Sequence, residues 1–145
     1  MTNRKQTLAS EVLAALEARN WSLATAESCT GGGVGQALTA VPGSSKTYRG
    51  GIISYTNSVK SRLLGVPETL LRELGAVSGP VAEAMARGAR EAVSADVAVS
   101  TTGLAGPGGD EFGNPVGTVW IGCASPGGVK SVLCRFQGNR DEIRE

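Results

Sequence analysis

Histidine is absent from the 145 residues, and that absence removes more chemistry than any other feature of the composition. A nucleophile activated by imidazole is excluded, as is a histidine-held metal centre, so any acid or base must be Lys, Tyr, Asp, Glu or Cys. Cysteine is nearly as scarce. Cys29, Cys123 and Cys134 form an odd set with no CxxC pair, which offers neither a disulfide framework nor a zinc site and suits free thiols in a reducing, cytoplasmic setting. Aromatics make up only 4%, so the core must be built of Val, Leu, Ile and Ala. With 14 Lys plus Arg against 13 Asp plus Glu, the basic field needed for binding a nucleic-acid backbone is missing, and no nucleic-acid partner is expected. No apolar run approaches the roughly 18 residues of a membrane span. The polar, basic start at residues 1–7 leads into an amphipathic segment, not into the apolar core of a signal peptide, and no membrane association is expected.

What is present is an ordinary globular balance, 41% hydrophobic and 19% charged, in a length that suits one domain over residues 1–145. Leu8, Val12, Leu13 and Leu16 recur at helical spacing and predict a first amphipathic helix over residues 6–19. A short buried strand is predicted at 21–26, a helix at 34–39 and a second strand at 50–56. Asn57 can cap a helix starting at Ser58, Pro67 suits the first position of another, and Ser78 can cap a longer one. Residues 96–102 read as a third strand. The segments 116–124 and 129–136, joined by Ser125-Pro126-Gly127-Gly128, read as a hairpin. Asn139 and Glu142 form a capping box for a final helix that is cut short at Glu145. This order predicts an α/β fold, a three-layer α/β/α sandwich on a mixed, mostly parallel sheet of about five strands.

Two residues stand out chemically. Ser28 sits where the first strand turns into a helix through Gly31-Gly32-Gly33, a junction whose backbone N–H groups can stabilise an oxyanion. Ser28 or Thr30 could equally serve there as a simple helix cap. Lys60 is one of only 4 lysines against 10 arginines, and it falls in the first turn of a helix, where the dipole disfavours a cation. That effect is below about one pKa unit, so burial must supply the rest if Lys60 is to act as a base; a solvated surface lysine is the alternative. Tyr55 lies five residues earlier and can face the same site or pack at a strand edge. Cys29 reads as a small buried thiol, and Glu27 as the partner of a base or of an Arg. The loop over 103–109 could wrap a phosphate or be a flexible connection. The Gly-rich stretches fit neither the P-loop nor the dinucleotide-binding pattern.

Taken together, Thr25-Ala26-Glu27-Ser28-Cys29-Thr30-Gly31-Gly32, Pro42-Gly43-Ser44-Ser45, Gly51-Ile52-Ile53-Ser54-Tyr55-Thr56-Asn57 with Lys60, Gly75-Ala76-Val77-Ser78 and Thr102-Gly103-Leu104-Ala105-Gly106-Pro107-Gly108-Gly109 resemble the CinA C-terminal domain family. The match runs in order over nearly the whole chain. The resemblance implies a mixed-sheet α/β/α fold and a Ser/Lys amidohydrolase that converts nicotinamide mononucleotide to nicotinate mononucleotide and ammonia. It implies Ser28 as nucleophile, Lys60 as base and Tyr55 in the active site, with Thr102, Gly103, Arg140 and Ser45 as ligand contacts. Leu104 stands where the family usually has Ile. A soluble cytoplasmic homo-oligomer taking a small pyridine nucleotide, with no metal or other cofactor, is expected.

In this reading neutral Lys60 takes the Ser28 proton, the Gly31-Gly32 turn holds the oxyanion, and Lys60 then protonates departing ammonia. Two rivals belong to other classes. One is a non-catalytic nucleotide-binding or competence/DNA-damage regulatory module. The other is a metal-dependent phosphoryl-handling enzyme built on the Gly-rich loops.

Overall fold

The strand expected first forms as β1 (Leu23–Glu27) and is buried along its whole length, because it lies inside a five-stranded sheet with neighbours on both sides. The computed structural model describes residues 3–145; Met1 and Thr2, the first positions of the polar basic start, lie outside them. The other strands are β2 (Tyr48–Ile53), β3 (Val97–Gly103), β4 (Thr118–Ser125) and β5 (Gly128–Arg135), in the order β2-β1-β3-β4-β5. β1 pairs in parallel with β2 and β3, while β4 is antiparallel to both β3 and β5. Only β4 therefore runs against the common direction, and the expected mixed α/β sandwich is the observed one. The β4–β5 connection is a tight hairpin in which Ser125 pairs with Gly128.

Helices cover both faces. α1 (Arg4–Ala18) and α2 (Gly33–Thr39) lie on one side, where Ala9, Leu13 and Leu38 pack on Leu23 and Val97. On the other side lie α3 (Asn57–Leu64), α4 (Glu68–Leu74) and α5 (Gly79–Val93), where Leu64, Val81, Met85 and Ala89 pack on Ala24, Ala26 and Ala98. Because side chains alternate along β1, its odd residues face α2 and its even ones face α5. A short α6 (Arg140–Arg144) follows β5, opened by the expected Asn139–Glu142 capping box, and Ile143 seats it against Cys29, Ala105 and Val119.

Small residues let α5 approach the sheet closely. Val81, Ala82, Met85, Ala86 and Ala89 are all fully buried, and a Cβ on Gly122 of β4 would lie 2.4 Å from the Ala82 carbonyl oxygen. A core poor in aromatics is thus filled by close approach of backbones instead of by large side chains.

Several boundaries differ from the sequence expectation. Thr56, not Asn57, caps α3, its side chain accepting from the Val59 N–H, so Lys60 is the fourth helical residue. Pro67 precedes α4 as its cap residue. β2 begins two residues earlier than expected and ends at Ile53; Ser54 and Tyr55 leave the ladder and turn toward α3. Among the described residues no helix is long and apolar enough to cross a membrane.

Candidate active site

The chain leaves β1 and reaches β2 through α2 on one face, whereas it arrives at β3 from α5 on the other face. The carboxyl ends of β1 and β3 therefore border the crevice where open α/β sheets bind ligands. Ser28 directly follows β1, and its N–H donates to the Thr101 carbonyl of β3 at 3.1 Å. Being even-numbered, Ser28 points toward α3. There Lys60 Nζ lies 3.0 Å from Ser28 Oγ, 2.8 Å from the Ser54 carbonyl oxygen and 3.2 Å from the Tyr55 carbonyl oxygen.

This geometry suits both charge states of the amine. A charged Lys60 donates to all three oxygens. A neutral one has two N–H groups for the two carbonyls and one lone pair left for the Ser28 hydroxyl proton. Lys60 is 1% exposed, and burial lowers its pKa to about 8, with the Cys29 thiol opposing the shift. Burial on this scale supplies what the helix dipole alone could not.

The turn after Ser28 is held by hydrogen bonds that the sequence did not reveal. Gly31 N–H donates to the Ser28 carbonyl and Gly33 N–H to the Thr30 carbonyl, each at 3.0 Å. Gly31 and Gly32 have φ values of +60° and +107°, the left-handed region that favours glycine. Of the two amides expected to hold an oxyanion, that of Gly31 is therefore committed within the turn. The Gly32 N–H donates to no protein acceptor among the described residues.

Among the described residues Glu27 pairs with neither a base nor an Arg. Its carboxylate, 3% exposed, accepts the Thr30 hydroxyl at 2.5 Å and the Val34 and Gly35 N–H groups, both at 2.9 Å. Cys29 turns away from Lys60 into the α6 contact. Burial pushes its thiol pKa up, against the smaller opposing effects of its own amide, Lys60 and Arg144. A thiol held protonated in this way is a poor nucleophile.

The remaining candidates divide. Tyr55 orients Lys60 through its main-chain carbonyl, not its phenol. The phenol oxygen accepts from Arg140 at 3.1 Å, and Arg140 also donates to the Gly106 carbonyl at 2.6 Å, so Arg140 joins α6, the loop after β3 and Tyr55. Thr102 is 1% exposed and its hydroxyl donates to the Ala76 carbonyl at 2.8 Å, which ties β3 to the segment before α5. Gly103 is needed for packing, since a Cβ there would lie 2.6 Å from the Val119 side chain. Ser45 sits in the 3-10 turn Ser44–Lys46 ahead of β2. That is the amino edge of the sheet, opposite to Ser28, and a single chain does not bring it to the crevice. Ser54 and Arg144 were not anticipated: Ser54 acts through its carbonyl, and Arg144 Nε donates to the Cys29 carbonyl at 3.0 Å. Main-chain acceptors leave no mark in residue type.

Fold and site together define an α/β domain with a buried Ser–Lys pair at the carboxyl edge of its sheet. Residues 5–145 match the model of the CinA C-terminal domain, and the chain belongs to that family. It is 46% identical to the nicotinamide-nucleotide amidohydrolase PncC of Pseudomonas putida, over 95% of this chain and 86% of that protein. A CinA-like protein of Gemmatimonas aurantiaca is 49% identical over 94% of this chain but only 32% of its own length. The chain thus spans about a third of the CinA-like relatives it matches. The crystal structure of a competence damage-inducible protein A from Klebsiella pneumoniae superposes with a TM-score of 0.95 at 35% identity, covering 98% of this chain and 88% of that one. The competence/damage inducible protein CihA of Agrobacterium tumefaciens gives 0.93 at 38% identity, covering 99% and 88%.

Proposed function

We propose that this chain is a metal-independent amidohydrolase that cleaves the carboxamide of nicotinamide mononucleotide by a Ser28–Lys60 dyad. The observation that carries the reading is the buried 3.0 Å contact between Lys60 Nζ and Ser28 Oγ, with a Lys60 pKa of about 8. At neutral pH about a tenth of such a lysine is uncharged, against about four parts in ten thousand for a free one. Neutral Lys60 accepts the Ser28 proton as Oγ attacks the carboxamide carbon, and the free Gly32 N–H supports the oxyanion. The resulting ammonium protonates the leaving nitrogen, so ammonia departs and an ester remains on Ser28. Water then attacks that ester; Lys60 takes its proton and returns it to Ser28 as nicotinate mononucleotide leaves. Arg140 and Tyr55 supply the polar rim for the nucleotide.

The name of the Pseudomonas putida relative supports this substrate. We assign the activity to a soluble cytoplasmic homo-oligomer, for which light scattering on the purified protein is the check. The decisive assay is ammonia release against a panel of nicotinamide mononucleotide, nicotinamide, its riboside and unrelated carboxamides, with nicotinate mononucleotide formed in equal amount. The relatives named for competence and damage favour a second reading as a regulatory module. Nucleotide binding without any ammonia release would decide for it.

A further inference from the structure

A buried carboxylate with no cationic partner needs a reason to be where it is. Among the described residues Glu27 is such a group, immediately before the proposed nucleophile, and every lone-pair direction it uses serves the catalytic turn. Oε1 takes the Thr30 hydroxyl and the Val34 N–H, and Oε2 takes the Gly35 N–H. Thr30 Oγ1 is also 2.9 Å from Thr101 Oγ1, which extends the network to β3. These contacts fix residues 30–35 against the end of β1. The main chain of the same residue holds the other half of the pair: the Glu27 carbonyl accepts the Ser54 N–H at 2.7 Å and the Ser54 hydroxyl at 3.2 Å. The Ser54 carbonyl in turn holds Lys60 Nζ.

We propose that Glu27 is the positioning residue of this site, its carboxylate setting the turn that aims Ser28 and the Gly32 amide, while its backbone anchors the Ser54 carbonyl that aims Lys60. Glu27 touches neither substrate nor the reacting atoms and acts through the geometry of both partners. The carboxylate accepts from three donors and offers none. The site admits it through Gly35, where a Cβ would lie 3.4 Å from Oε2 and 2.9 Å from the Tyr48 hydroxyl.

This inference rests on Ser28 being the nucleophile, so its test reads the nucleophile directly. Glu27→Gln keeps the shape, but in either rotamer its NH2 points a donor at a donor, either the Gly35 amide or the Val34 amide and Thr30 hydroxyl. Labelling of Ser28 by a fluorophosphonate probe, followed by intact mass, is compared with steady-state hydrolysis and thermal melting. The expected result is labelling and kcat slowed by about tenfold or more, as sub-ångström misplacement of a reacting atom produces, with KM nearly unchanged and a cooperative melt retained. If Glu27→Gln does not fold, Thr30→Val, which removes one donor and leaves both amides, is expected to slow labelling to a smaller degree. A folded Glu27→Gln protein labelled as fast as wild type overturns the positioning role alone. Wild-type protein that labels at Ser28 but releases no ammonia overturns the substrate assignment and leaves Glu27 to be judged by labelling. Wild-type Ser28 inert to the probe overturns both.

Discussion

Burying Lys60 to 1% exposure penalises its ammonium form, and this has consequences for rate and for stability. For rate, kcat/KM is expected to rise with pH through an apparent pKa near 8, well below the value of about 10.4 for free lysine. Lys60→Arg should be nearly as inactive as Lys60→Ala, because guanidinium stays protonated and cannot accept the serine proton; an Arg variant with most of its activity would assign Lys60 a purely electrostatic role. For stability the sign follows from the lowered folded-state pKa. Between about pH 8 and pH 10.4 the unfolded chain holds more protons at this site, so its contribution to stability rises with pH across that window. Below pH 8 the penalty is constant, and it amounts to at most about 3 kcal/mol. Because burial also raises the Cys29 and Tyr48 pKa values, which acts in the opposite direction at alkaline pH, the Lys60 effect is read as a difference. The urea-unfolding free energy of wild type minus that of Lys60→Met should become more favourable to wild type from pH 7 to pH 10. The neighbouring residues give a sharper contrast. Ser28→Ala is expected to abolish ammonia release with nucleotide binding retained, and Cys29→Ser to remain active. The reverse pattern would transfer the nucleophile to sulfur.

At the scale of elements, the position of Lys60 depends on how closely α3 crosses α5. A Cβ built on Gly88 of α5 would sit 1.9 Å from the Leu64 carbonyl oxygen at the end of α3, a rigid backbone atom that cannot step aside. Gly88→Ala is therefore expected to cost about 1–3 kcal/mol or more of stability, as overpacking does, despite the better helix propensity of alanine. By displacing α3 it should lower kcat as well. Chemical denaturation and a rate measurement on the same preparation check both. Sequence reasoning found all six α-helices and five strands of the described residues, because period and capping residues are local signals. It missed the Thr56 cap, since Thr and Asn are both good capping residues and only the path of the chain out of β2 decides between them. It also gave no sign of the α3–α5 approach, because one glycine in a helical pattern does not reveal which backbone lies against it.

For the whole molecule, the absence of histidine and the dispersal of its three cysteines leave few soft ligands for a transition metal. Among the described residues no three Asp, Glu or Cys side chains converge as a candidate metal site. Activity is accordingly expected to survive exhaustive chelation, measured as ammonia release before and after dialysis against a strong chelator. Loss of activity with recovery on adding a divalent ion would replace the dyad with metal-activated water. Composition and pattern determined the class of fold and, through the missing histidine, narrowed the acid–base chemistry to Lys, Tyr, Asp, Glu or Cys; the pairing of Ser28 with Lys60 came from the family resemblance, since residue types alone left a helix cap and a solvated lysine as alternatives. The tertiary structure decided what depends on distance. It set Ser28 against Lys60, spent the Gly31 amide inside the turn, gave Glu27 three donors in place of a cation and put Ser45 at the far edge of the sheet. The Lys60 and Gly31 contacts are hydrogen bonds to carbonyl oxygens, and every residue carries the same carbonyl, so nothing in the order of side chains could have announced them.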